Sequence, residues 1–128
     1  MKPLCLLVLL SLIQTSALAE IPKDCAAKIA TSDTLNLENP KSLEAVDPKN
    51  LANPNSVLSL HIRYMNDMLK KGEILETGAV ENLSGQVLEG FTVFATDDLA
   101  RSRVVQENDP FVKNQIVKIQ YKRWKRCQ

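Results

Sequence analysis

The 128-residue chain is 45% hydrophobic and 24% charged, with 16 Lys and Arg against 15 Asp and Glu and a single histidine. A chain of this length makes one small domain with a modest core. Its near-zero net charge excludes a dedicated nucleic-acid binder, which needs excess cations to displace counterions.

The chain opens on "MKPLCLLVLLSLIQTSALAE": one lysine, an apolar run over 4–13, and the small-residue ending Ala17-Leu18-Ala19. That order predicts a secretory signal over 1–19, cleaved after Ala19, and hence a periplasmic or secreted protein. The apolar run is shorter than the roughly 20 residues that span a bilayer. No second such run follows, so no membrane association is expected after cleavage. Without Lys2 the basic and acidic residues are equal in number, 15 of each. Cys25 and Cys127 stand near opposite ends of the mature chain. Two readings are open: a disulfide, worth roughly 4–5 kcal/mol for a closed loop of about 100 residues, or two unpaired thiols. Spacing alone does not decide between them.

Residues 20–53 read as a poorly structured segment with one weak strand near 28–35. There Ile29, Thr31 and Asp33 alternate with Ala30, Ser32 and Thr34, in a pattern that suits an edge strand. Pro40, Pro48 and Pro54 among several asparagines are turn chemistry, with room for one helical turn at 42–46. From Asn53 the signals sharpen. Asn53 as N-cap, Pro54 at the first helical position and Gly72 as the stop predict a helix over 54–71. Leu58, His61, Ile62, Met65 and Leu69 recur along it at helical spacing.

"EILETGAV" predicts a strand over 73–79, and "VLEGFTVFAT" a central strand with apolar residues on both faces. Thr96, followed by Asp97 and Asp98, predicts a second helix ending near Asn108, ahead of Pro110. Val117, Ile119 and Tyr121 alternate with Lys118, Gln120 and Lys122, which predicts a last strand with one wet face. A basic stretch over 122–126 frays beyond it, and 125–128 is set apart as a tail. The order of elements predicts an α+β fold: a ferredoxin-like split β-α-β unit with a four-stranded, mostly antiparallel sheet and two helices on one face. The bare sheet face calls for a second copy of the chain, and so for a homodimer.

His61 has two readings. Histidine exchanges protons near neutral pH and serves as a general acid or base when a carboxylate orients it. It also fills a helix position at the edge of a core stripe. Asp109 is either that carboxylate or a cap on the turn before Pro110. Tyr64, one turn beyond His61, lines a pocket or packs in the core. Phe111 and Trp124 read as packing residues, with Trp124 also suited to closing a pocket or a dimer seam. One histidine and two distant cysteines do not make a zinc site, and Asp97-Asp98 reads as a helix start. No G-x-S-x-G, P-loop or G-x-G-x-x-G occurs, so no metal or cofactor is expected.

Three pieces in order, "HIRYMNDMLKKGEILETGAV", "SGQVLEGFTVFAT" with "DDLARSRVVQENDPFV", and "KNQIVKIQYKRW", resemble the YCII-related family of small dimeric α/β-barrel proteins. The resemblance covers residues 58–124, within a family-like core over 54–124, and "NDPFVKNQIV" is its most specific part. It implies a His–Asp pair in a cleft beside the sheet, carried here by His61 and Asp109. It further implies proton transfer, isomerisation or elimination on a small organic molecule. Leu58 stands where many members have an arginine, which removes an anion-binding cation, and Ala79 stands where they have proline. Leu58 and the weak first strand favour the alternative reading, a non-catalytic dimer that binds a small ligand or a protein.

Overall fold

A computed structural model describes residues 26–127, and within it Ala27–Trp124 form a compact unit. The expected signal over 1–19 lies outside the described residues, as does Cys25. Cys127 is disulfide-bonded.

Strand β1 is Ala26–Leu35. A one-turn helix α1, Ser42–Ala45, and a 3₁₀ turn, Pro48–Ala52, lead into α2, Val57–Lys70. The hairpin of β2, Ile74–Glu81, and β3, Val87–Phe94, comes next. It is followed by α3, Leu99–Glu107, the one-turn α4, Pro110–Lys113, and β4, Val117–Arg126. The strands form one antiparallel sheet in the order β2-β3-β1-β4. This is the split β-α-β topology expected from the sequence.

β1 is therefore a central strand and not an edge. Its register with β3 pairs Thr31 with Thr92 and Asp33 with Gly90. The alternation read from the sequence is the one that folds: Ile29, Thr31 and Asp33 are buried under the helices, while Ala30, Ser32 and Thr34 face the other way. The strand looked weak because two of its three buried positions, Thr31 and Asp33, are polar. A second correction concerns β4, which continues to Arg126 where fraying was expected from 122.

The core sits between sheet and helices. Ile29, Met65, Ile74 and Phe94 form its centre, with Tyr64 and Met68 of α2, Val105 of α3 and Tyr121 of β4 packed around them. Both longer helices thus cover the same sheet face. Burying each large apolar side chain contributes about 1.5–3 kcal/mol. On the opposite face Ala30, Ser32, Phe91, Val93 and Trp124 line a shallow groove of about 290 Å³.

Candidate active site

α2 starts three residues later than its sequence signals suggest. Asn53 closes its own turn, accepting from the Asn55 amide at 2.9 Å. Ser56 caps the helix instead: its Oγ accepts from the Ser59 amide at 3.2 Å and donates to the Asn50 carbonyl at 2.7 Å. Gly72, at φ +74°, ends the helix in a conformation that disfavours any residue with a Cβ. Along α2, Leu58, His61, Ile62 and Met65 share one stripe and line a cavity of about 400 Å³. That volume suits a small organic molecule.

The carboxylate facing His61 comes from the break between α3 and α4. Asp98 caps α3, its Oδ1 accepting from the Ala100 amide at 2.9 Å, and Thr96 accepts from the Asp98 amide at 3.0 Å. Pro110 cannot continue α3 and instead opens α4, where its fixed φ suits the first helical position. Asp109 becomes the cap of that turn, and its Oδ1 accepts from the Phe111 amide at 3.0 Å. The same oxygen lies 2.6 Å from His61 Nδ1. Asp109 is 1% exposed and the His61 side chain 19%.

The structure brings together the two residues that sequence reasoning paired: one oxygen of Asp109 both caps the turn at Pro110 and contacts the His61 ring. A carboxylate in its ionised form only accepts hydrogen bonds, so toward it Nδ1 would be the donor, which leaves Nε2 as the acceptor of a neutral ring. This contact is the ring's only hydrogen bond among the described residues. Phe111 holds the ring flat: the two centroids are 3.9 Å apart and the planes 2° from parallel. Such stacking is worth about 0.5–1.5 kcal/mol. Phe111 therefore packs as expected, but it packs against the histidine and lines the cavity.

Tyr64 takes the core reading. Its hydroxyl donates to the Val105 carbonyl at 2.6 Å, and it does not line the cavity. Burial, with the charges of Asp109 and Glu73, pushes its phenol up. Trp124 belongs to the opposite sheet face, with Lys122 and Arg123 beside it. Asp98 is a helix cap, and no cluster of metal-ligating side chains occurs among the described residues.

One site residue escaped the sequence reading. Asp33 lines the cavity at the end of β1, is 7% exposed, and its Oδ1 has no hydrogen-bond partner among the described residues. Desolvation raises its carboxyl above the ordinary aspartate range. The charge of Asp109 adds to this, while Thr31, His61 and Gln106 oppose it. The signal was present: Asp33 sits in phase with Ile29 and Thr31, and an acid on a buried strand face calls for an explanation.

No family model matches the sequence, and no curated protein matches it. Among solved structures the chain is similar to 5-chloro-2-hydroxyhydroquinone dehydrochlorinase (TftG) from Burkholderia phenoliruptrix AC1100, in its complex with 2,5-dihydroxybenzoquinone. The identity is 20%, the match covers 76% of this chain and 93% of that one, and the TM-score is 0.52. Likeness at that identity concerns the fold, and it agrees with the ferredoxin-like α+β architecture described above.

Proposed function

We propose that this protein catalyses acid–base chemistry on a small, uncharged organic molecule bound in the cavity beside α2. The observation that carries the reading is the 2.6 Å contact between His61 Nδ1 and a buried Asp109 at the wall of that cavity. Asp109 fixes the tautomer and steadies the imidazolium that forms when Nε2 takes a proton. The proton then returns to a different atom of the substrate, or a leaving group departs as the proton is lost. These are the outcomes of isomerisation and elimination. The groups that move protons are side chains of this chain, so the reading calls on no cofactor. The dehydrochlorinase of similar fold is compatible with it.

Leu58 in the cavity wall, in place of a cation, directs the choice toward neutral substrates. The same apolar wall favours a second reading, a carrier that binds such molecules without changing them. Two further parts of the proposal rest on other grounds. Export rests on the leader-like sequence over 1–19. Homodimerisation rests on the open sheet face, where Phe91 is 37% and Val80 50% exposed, because a second copy laid against it would bury both.

Deuterium exchange at the α-carbons of acetophenone and cyclohexanone in D₂O, followed by NMR, separates the readings. Catalysis calls for exchange that falls about 10²–10⁴-fold in His61→Gln. A carrier binds the ketones and gives equal exchange with and without His61.

A further inference from the structure

The chemistry above uses one side of the cavity. Opposite the helix layer, the sheet contributes Asp33, and the His61–Asp109 reading assigns it nothing. We propose that Asp33 is a second ligand-contacting group, which meets a substrate carbonyl as a neutral carboxylic acid and selects uncharged carbonyl compounds over carboxylate anions. The inference rests on the acid–base reading of the cavity and deepens it.

Three observations carry it. The first is position. The register of β1 turns Asp33 toward the helices, into the cavity that His61 also lines. The second is the state of its atoms. Asp33 is 7% exposed, yet its Oδ1 has no partner among the described residues. A buried polar atom of that kind is costly unless something bonds it; Thr31 and Gln106 lie close enough to favour its charged form, and the cavity gives a ligand oxygen access to the same carboxyl.

The third observation is space. Gly90 stands directly across from Asp33, and a Cβ there would lie 3.6 Å from the Asp33 Cβ and 3.7 Å from its Oδ2. Glycine leaves that flank of the carboxyl open, and Gly90 itself forms part of the cavity floor.

The charges around Asp33 agree. His61 faces it from α2, Asp109 from the start of α4, and Tyr121 from β4; Gln106 of α3 and Thr31 of its own strand are neutral. The cavity lining includes the acids Asp33 and Glu89 and, among the described residues, no lysine or arginine. A carboxylate ligand would therefore meet the charge of Glu89 with no lysine or arginine in the lining to hold it. A neutral carbonyl would accept a hydrogen bond from the Asp33 acid.

The step this permits is balanced. Nε2 of His61 takes a proton from the carbon beside the carbonyl, and the C–H electron pair becomes the new C=C bond. The carbonyl π pair moves to oxygen, which takes the Asp33 proton. Neutral ketone, imidazole and carboxylic acid become enol, imidazolium and carboxylate. Where the enol is conjugated to a further C=C, the imidazolium gives its proton to the remote carbon and the enol O–H proton returns to Asp33, which completes an isomerisation and restores both groups.

The test uses the full chain, with acetophenone as the neutral probe and benzoate as its anionic counterpart, in amide NMR titrations. Acetophenone is expected to shift the amides around Asp33, Gly90 and His61, and to bind at least about tenfold more tightly than benzoate. Asp33→Asn, which keeps a donor, should hold acetophenone within about threefold, whereas Asp33→Ala should lose up to about tenfold. In aspartate-¹³C spectra the Asp33 carboxyl should titrate above the ordinary value of about 3.9. Equal acetophenone binding by wild type, Asp33→Asn and Asp33→Ala would overturn the inference, as would equal binding of benzoate or no saturable shift with acetophenone. The two readings fail separately. Exchange that needs His61 but ignores both Asp33 variants removes only the role of Asp33. Binding that follows Asp33 without any His61-dependent exchange removes only the catalytic reading.

Discussion

One oxygen of Asp109 serves two partners, His61 Nδ1 at 2.6 Å and the Phe111 amide at 3.0 Å. The cap that starts α4 is thereby the group that orients the histidine. Phe111, set by the same turn, lies flat on the imidazole. Backbone geometry and side-chain chemistry are coupled at one residue, so substitutions at Asp109 separate them. Asp109→Asn keeps an acceptor for the cap and should retain most of the stability, while ketone exchange falls by about 10²-fold or more. Asp109→Ala loses the cap as well and should cost a further 1–2 kcal/mol or so in urea unfolding.

Phe111→Leu retains an apolar side chain but removes the stacked ring. A stability loss of about 1–2 kcal/mol is expected from the lost stack and the partial void. The sharper readout is exchange, which should fall while the affinity for acetophenone changes less. The substitution leaves the acid and base in place and loosens only the orientation of the ring.

The Asp33 carboxyl gives stability a pH dependence of definite sign. Burial raises it in the folded state, so between the unfolded value, about 3.9, and the raised folded value the native chain holds a proton that the unfolded chain has released. Stability therefore falls as pH rises through that window. Asp33→Asn removes this component. Urea unfolding of both proteins from about pH 4 to about pH 7 should show wild type losing ground to the variant as pH rises.

Tyr64→Phe should leave the cavity untouched. It removes the 2.6 Å bond to the Val105 carbonyl and should cost about 1 kcal/mol in urea unfolding, with acetophenone binding unchanged. A large effect on binding would place Tyr64 nearer the ligand than its position in the core allows.

Much of this architecture was legible in the sequence, for identifiable reasons. The stripe Leu58, His61, Ile62 and Met65 is strongly periodic, Gly72 is a clear stop, and β4 alternates cleanly. Each of these signals is local and apolar. The start of α2 was misread at Asn53 because three consecutive turns, from Asp47 to Ser56, compete for the same capping residues. β1 was underrated because Thr31 and Asp33 are polar yet point inward, a choice made by the cavity and not by strand propensity. The meeting of His61 and Asp109, 48 positions apart, came from a family resemblance; periodicity alone would have left them separate. Asp33 was missed because its significance lies in what the sheet places it beside.

The most direct measurement is the long-range ¹H–¹⁵N NMR spectrum of the His61 ring in mildly alkaline solution, with and without saturating acetophenone. The account expects a single tautomer with hydrogen on Nδ1, held by Asp109, and an Nε2 signal that moves when the ketone binds. Hydrogen on Nε2, or an Nε2 signal indifferent to bound ketone, would contradict it.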